Sequence, residues 1–387
     1  MKGLDILILT ATLFSVFTAL SVAVLSLIWI ERKLLGRLQR RLGPTRTGPF
    51  GLLQPVADGI KLIVKEDLVP SWADRIIFWT APLLVIIPSF MIWVTIPISR
   101  NLVVENLDLG LFVIVALLVI SILGLVLAGW GSANKYGALG SLRAAAQLVS
   151  YEVPLVLVVI SVAVISGSMD LRVISAIQVP FDTAQPILDE ARSNFSNFNH
   201  VGLPLIFIFP LGLVIFLLAG LAEVGRTPFD IYFAESEIVG GPFVEYSGAH
   251  WSVFFLAEYM NTFAVAALAG LLFLGGWYGP ILPEWAWFLI KTYFFVVIIF
   301  WIRGTFPRLR IDQLMAFGWK VLMPLSLMAV ITAAIYRFYE WPAWSLTLMS
   351  LSGLIVVGFA FYLKYTRPVL RLAKKYGHRP GGTRNVR

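Results

Sequence analysis

Long apolar runs separated by short polar stretches dominate this chain of 387 residues. Nine of them stand out, at about 5–30, 76–97, 109–129, 145–166, 204–222, 252–274, 285–302, 320–338 and 343–363. A helix rises about 1.5 Å per residue and a bilayer's hydrocarbon core is about 30 Å thick, so a run of roughly twenty apolar residues crosses it. The fold class expected is therefore all-α, a polytopic membrane protein with about nine transmembrane helices. One stretch follows a different period. Between Leu52 and Lys65, the polar residues Gln54, Asp58, Lys61 and Lys65 share one helical face, while Leu53, Val56, Ile60, Ile63 and Val64 cover the rest. That spacing predicts an amphipathic helix lying in the membrane interface, and the glycines and prolines of GPTRTGPFG before it turn the chain.

Composition supports the membrane reading: 59% of residues are hydrophobic and 13% charged, against about 25% charged in ordinary soluble domains. No internal repeat or soluble domain is visible. The expected organisation is one membrane domain over 1–387, with a basic loop and interfacial helix at 31–75, an acidic loop at 223–251, and a further span with a basic tail at 343–387. The first run lacks a short apolar region followed by a small-residue cleavage site, so it reads as an uncleaved span.

Lysine and arginine set the orientation. With the N-terminus outside and the C-terminus cytoplasmic, the inner segments hold 24 of the 30 basic residues. The net charge of +8 then reflects topology and anionic lipid, with no nucleic acid implied. Cysteine is absent, so the chain offers no disulfide and no thiolate for an iron–sulfur cluster. Its three histidines, His200, His250 and His378, place no pair across the bilayer for a haem. No phosphate-binding or dinucleotide-binding glycine motif is found, and no metal site is expected.

The acidic residues carry the chemistry. The stretch AEVGRTPFDIYFAESEIVGGPFVEYSG holds Glu223, Asp230, Glu235, Glu237 and Glu245 against one arginine, Arg226, on the side where basic residues normally collect. A solvated loop is one reading. The interleaved Phe229, Ile231, Tyr232, Phe233, Ile238, Val239 and Phe243 favour a buried, hydrogen-bonded cluster. Two further carboxylates, Glu152 and Glu258, lie inside spans, where a charge costs several kcal/mol unless paired, hydrated or neutralised (about 2.5–3.5 by insertion scales). Pairing with a basic residue of another span is the ordinary explanation, but Lys291 is the one such residue deep in a run. Carboxylates close together in a low dielectric share protons. Glu223, Glu235, Glu237, Glu258 and Glu152 are thus candidates for a proton path inward from the cytoplasmic surface.

Five motifs occur in order: ERKLLGRLQRRLGPTRTGPFGLLQPVADGIKL, GWGSANKYGALGSLRAAAQLVSYEVPL, the acidic stretch above, FFLAEYMNTF and RGTFPRLRIDQLMAFGWK. Over about residues 5–338 they resemble the H-subunit family of bacterial NADH–quinone oxidoreductase, respiratory complex I. The resemblance implies a membrane subunit of a proton-translocating oxidoreductase in the bacterial plasma (inner) membrane. It implies a chamber, built with peripheral-arm quinone-reducing and iron–sulfur subunits, in which quinone is reduced as substrate, and contacts with other membrane-arm subunits, small and antiporter-like. It implies no iron–sulfur cluster, flavin, haem or covalently bound cofactor in this chain. Arg32, Arg37, Arg41, Asp58 and Lys61 are implied to line the quinone entrance, Arg226 and Asp230 to lie in the chamber, and the five carboxylates named above to form the proton path. Arg303, Arg308 and Arg310 are implied to dock peripheral subunits or to balance the acidic loop.

The chain departs from the family pattern where Phe233 replaces the first of three alternating acids. The long outer segment 167–203 and the ninth span carry no assigned role. Two other readings stay open on sequence: the equivalent membrane subunit of a ferredoxin-fed complex or membrane-bound hydrogenase, and a stand-alone ion transporter. The transporter reading predicts activity in liposomes containing this chain alone.

Overall fold

The computed structural model describes residues 3–180, 187–188, 201–233, 235–339 and 341–355, and among these the chain is helical without strands. The helices are α1 (Gly3–Leu38), α2 (Gln54–Val64), α3 (Arg75–Thr95), α4 (Gly110–Gly131), α5 (Lys135–Ser166), α6 (Leu171–Ala176), α7 (Leu205–Ile208), α8 (Pro210–Glu223), α9 (Glu235–Ile238), α10 (Gly248–Leu274), α11 (Glu284–Thr305), α12 (Ile311–Tyr339) and α13 (Ala343–Ile355). Among the described residues, seven are long and apolar enough to cross a membrane: α1 from Thr10, α3, α4, α5, α10, α11 and α12.

One of the nine expected spans looks different. The fifth is broken: α7 stops after one turn, Phe209 takes a non-helical φ of −128° and ψ of 57°, and α8 restarts at Pro210. Proline disfavours the helical region for the residue before it and cannot donate the backbone bond that would carry the helix through. The ninth span is described to Ile355. Its remainder and the basic tail lie outside the described residues, as does most of 181–200.

Local chemistry sets the helix ends. Asp74 caps α3, accepting from the amides of Ile76 and Ile77. Asn134 caps α5 at the Tyr136 amide, and Gly167 ends that helix in the left-handed region, as capping rules anticipate. At 32 residues, α5 is about 48 Å long and overshoots a bilayer core. α12 contains a π turn at Gly318–Leu322. There the Trp319 indole donates to Ser150 Oγ at 3.1 Å, and Tyr151 Oη donates to the Leu314 carbonyl at 2.8 Å, tying the irregular stretch to the middle of α5.

α5 packs against α4, α8 and α12, while α10 packs against α3 and α11, and α1 lies on α11. The outer faces of α1, α3, α4 and α11 expose Phe14, Ile87, Phe112, Leu123 and Trp301, side chains suited to lipid. On α2, Val56, Ile60, Ile63 and Val64 are exposed and the helix rests on α1 and α10. That matches the amphipathic helix expected from the sequence.

At the end of the bundle opposite the acidic loop, Gln178 is a buried junction. Its amide donates to the carbonyls of Ile174, Leu271 and Leu272 and accepts from the amides of Leu205 and Gly275. The described part of segment 167–203 therefore joins α6, the broken span and the end of α10.

Candidate functional site

The site grows from the end of α8. At Gly225 the backbone has φ +69°, and an added Cβ would fall 1.9 Å from Tyr232 Oη, so a side chain is excluded twice over. The turn sends Arg226 back into the protein, where it is 3% exposed. Its Nε lies 3.2 Å from Glu258 Oε1 on α10 and its Nη1 lies 3.7 Å from Glu31 Oε2 on α1. Its guanidinium also sits 4.3 Å from the centre of the Tyr259 ring. Glu31 is buried too: it pairs with Arg303 of α11 and accepts from Tyr259 Oη at 2.7 Å. Three helices and the acidic loop thus share one network of two acids, two arginines and a tyrosine. Burial works against the Arg226 charge, but Glu258, then Tyr259 and Glu31, outweigh it and hold the guanidinium protonated, above its usual range. A second pair, Arg308 Nη2 to Asp230 Oδ2 at 2.7 Å, ties the loop to the start of the segment leading into α12.

Above this network lies a cavity of about 750 Å³, within the roughly 300–1,000 Å³ typical of small-molecule sites. Arg226, Asp230, Glu258, Tyr259, Arg303 and Arg308 supply its polar wall. Phe233, Phe243, Tyr246, Trp251 and Phe255 supply the apolar one. Burial pushes the hydroxyls of Tyr232 and Tyr246 well above their usual range, so both stay neutral; they face the carbonyls of Val224 and Phe78. A second backbone constraint holds the wall: at Gly241, φ +60°, an added Cβ would stand 1.8 Å from the Tyr232 carbonyl oxygen. Among the described residues, no group of three or more His, Asp or Glu is placed to hold a metal ion.

The residues singled out in the sequence separate into three groups. Glu258, Arg226 and Asp230 meet at the cavity, and Glu223 lies just beneath it, near enough to Glu152 for their charges to interact. Glu152 itself has no ion pair among the described residues. Glu237 stands apart: half-exposed, it pairs with Arg143 of α5 at 2.6 Å, away from the cavity wall. The Glu235 side chain lies outside the described residues. The third group is at the surface. Arg32 pairs with Asp58, joining α1 to α2, and Arg41 donates to Gln39, while Lys61 is exposed. Arg37 lines a separate cavity of about 360 Å³ with Trp29, Lys33 and Phe50. Glu258 has its cation, but from the loop; a search for basic residues within spans could not find Arg226. Glu31 escaped the sequence reading entirely. The available signal was a lone acid heading the basic run IERK.

A protein-family model described as NADH dehydrogenase matches residues 11–334. The chain is 45% identical over 314 residues to the H subunit of NADH-quinone oxidoreductase from Dehalococcoides mccartyi, covering 81% of this chain and 82% of that one. It is 43% identical over 321 residues to the H subunit from Brevibacillus brevis, with 81% and 88% covered. With an H subunit of Geobacter sulfurreducens the identity is 41% over 341 residues, covering 83% and 91%. A match of this extent, spanning the cavity and the buried network and reaching into all seven long helices, makes the chain a member of the NADH dehydrogenase family that includes these H subunits.

Proposed function

We propose that this chain is the membrane subunit of an NADH–quinone oxidoreductase, that its cavity forms part of the quinone chamber, and that the carboxylates beneath couple quinone reduction to proton movement. The observation that carries the reading is the cavity of about 750 Å³ whose floor is the Arg226–Glu258–Glu31–Arg303 network. Its aromatic wall suits an apolar ring system. Its cationic floor suits a headgroup that becomes negative on reduction. Electrons come from a redox centre of a partner subunit; this chain contributes shape, charge and proton-accepting groups.

Reduction of the quinone adds negative charge next to Arg226 and Arg303, which competes with Glu258 and Glu31 for the same cations. Weakening either ion pair raises the tendency of its carboxylate to take up a proton, and Glu258 can pass that proton toward Glu223 and Glu152. Two states of the network, biased by the quinone's redox state, meet the thermodynamic requirement for coupling. Peripheral quinone-reducing and iron–sulfur subunits cover the cavity side, and other membrane subunits continue the path beyond Glu152. The bacterial plasma membrane, with the C-terminus cytoplasmic, is the location this implies.

The test uses the assembled complex in sealed inverted vesicles. Glu258→Gln and Glu152→Gln each lower protons moved per quinone reduced by roughly a hundredfold, the low end of what a positioned proton-transfer group contributes. Full activity with full pumping in both variants overturns the reading.

A further inference from the structure

Beneath the large cavity lies a second, small one of about 30 Å³. A site of about 10–15 Å³ on this measure already holds a water, provided polar partners surround it. Its polar lining comes from four side chains on three helices: Ser121 on α4, Glu223 at the end of α8, and Glu258 and Asn261 on α10, with Tyr232 of the loop beside them. Glu223 Oε2 and Asn261 Oδ1 are fully buried atoms without a hydrogen-bond partner among the described residues.

Ser121 points the same way independently. Serines in helices ordinarily return their hydroxyl to a carbonyl one turn back. Ser89, Ser150, Ser161 and Ser175 do so here, at 2.6–2.9 Å. Every other buried serine among the described residues also has a hydrogen bond. Ser121 is only 4% exposed, has none among the described residues, and lines the small cavity.

The two cavities share three lining residues: Phe233, Phe243 and Glu258. The phenylalanines stack with centroids 5.1 Å apart and form an apolar partition. Among the described residues, Glu258 is the one polar side chain lining both.

We propose that the small cavity is a bound-water site, positioned by Ser121 and Asn261, that relays protons between Glu258 and Glu223, and that the Phe233–Phe243 partition makes Glu258 its sole point of access from the large cavity. The proposal rests on the proton-path reading above and names the water ligands and positioning residues within it. The transfer is balanced at each step: Glu258 gives a proton to the water as the water gives one to the Glu223 carboxylate, with no redox change. Ser121 accepts from or donates to the water, and Asn261 Oδ1 accepts from it, so the water's protons are held in line between the two acids.

The test is a set of variants in the assembled complex, read as protons moved per quinone reduced. Ser121→Val puts a methyl group where the hydroxyl was and lowers pumping by roughly a hundredfold, the low end of what a positioned proton-transfer group contributes. Ser121→Thr retains the hydroxyl and keeps pumping within about twofold, a distinction that packing alone does not produce. Phe233→Glu, added to Glu258→Gln, opens a second polar route through the partition and restores part of the lost pumping. Full pumping in Ser121→Val, with Glu258→Gln defective, overturns the water site and leaves the proton-path reading standing. Full pumping in Glu258→Gln removes that reading itself. If Ser121→Val fails to assemble, a high-resolution map of the native complex decides: density for water within hydrogen-bond distance of Ser121 Oγ and Glu223 supports the site, and its absence overturns it.

Discussion

Replacing Arg226 with methionine probes the centre of the site, because one buried guanidinium lies between two buried acids. At 3.2 Å from Glu258, the attraction is about 5 kcal/mol at an effective dielectric of about 20. Desolvation of all three groups offsets most of it, so the pair adds little to stability over an apolar equivalent. Removing one partner is a different matter. Glu31 keeps Arg303 and Tyr259, but Glu258 loses the only cation paired with it among the described residues. Breaking a buried pair in this way costs about 3–5 kcal/mol. If about 3 kcal/mol of that falls on the unfolding barrier, thermal inactivation of the purified complex accelerates by about two decades, at 1.4 kcal/mol per decade. Glu258→Gln on the Arg226→Met background removes the uncompensated charge and recovers most of the loss, giving a coupling energy of about 3 kcal/mol in the double-mutant cycle. Arg226→Met inactivating at the native rate, or the two substitutions adding independently, refutes the assignment of Arg226 as the counter-charge.

Other consequences follow from the same contacts. Gly241→Ala places a Cβ against the Tyr232 carbonyl in a left-handed conformation, and destabilises the assembled subunit by about 2 kcal/mol or more in the same inactivation assay. Gln178→Leu removes the partner of the Leu205 amide and of three carbonyls at the α6–α7–α10 junction, at about 1–3 kcal/mol for each group left buried and unpaired; its complex inactivates at a lower temperature while quinone binding is unchanged. Asp67 pairs with His250, and Ser247 Oγ accepts from the Leu68 amide, so Asp67→Ala frees the strap after α2. A cysteine placed at Leu68, in a chain with none of its own, then reacts faster with a soluble thiol reagent. Single cysteines at Lys61 and Arg172 label from opposite sides of the membrane, Lys61 from the cytoplasm.

The bundle was legible in the sequence because a bilayer imposes one rule on every span, and α2 because its period differs from its neighbours'. The break at Phe209 was written there as well, in Pro210, but a hydropathy window averages across it. The site was legible only in part. Glu258 announces itself as an acid inside a span, where a charge is costly, and Asp230 as part of an acidic loop on the side where basic residues collect. What neutralises them depends on which loop residue turns inward, and Arg226 does so because Gly225 permits a turn that no linear pattern reports. Glu31 hides among basic neighbours that lie on the surface, and Ser121 looks like any other helical serine until its missing back-bond is seen. Glu237 shares the acidic motif with Asp230 yet reaches the surface, where Arg143 on the overshooting end of α5 meets it.

Quinone reduction at this subunit requires the cavity above Arg226 to receive the quinone headgroup, as proposed above. Photolabelling the assembled complex with an azido-quinone, followed by peptide mapping, tests it directly. Label is expected within residues 225–259, suppressed by excess unmodified quinone. Label confined to other chains, or to the lipid-facing surfaces of α1, α3 and α4, contradicts it.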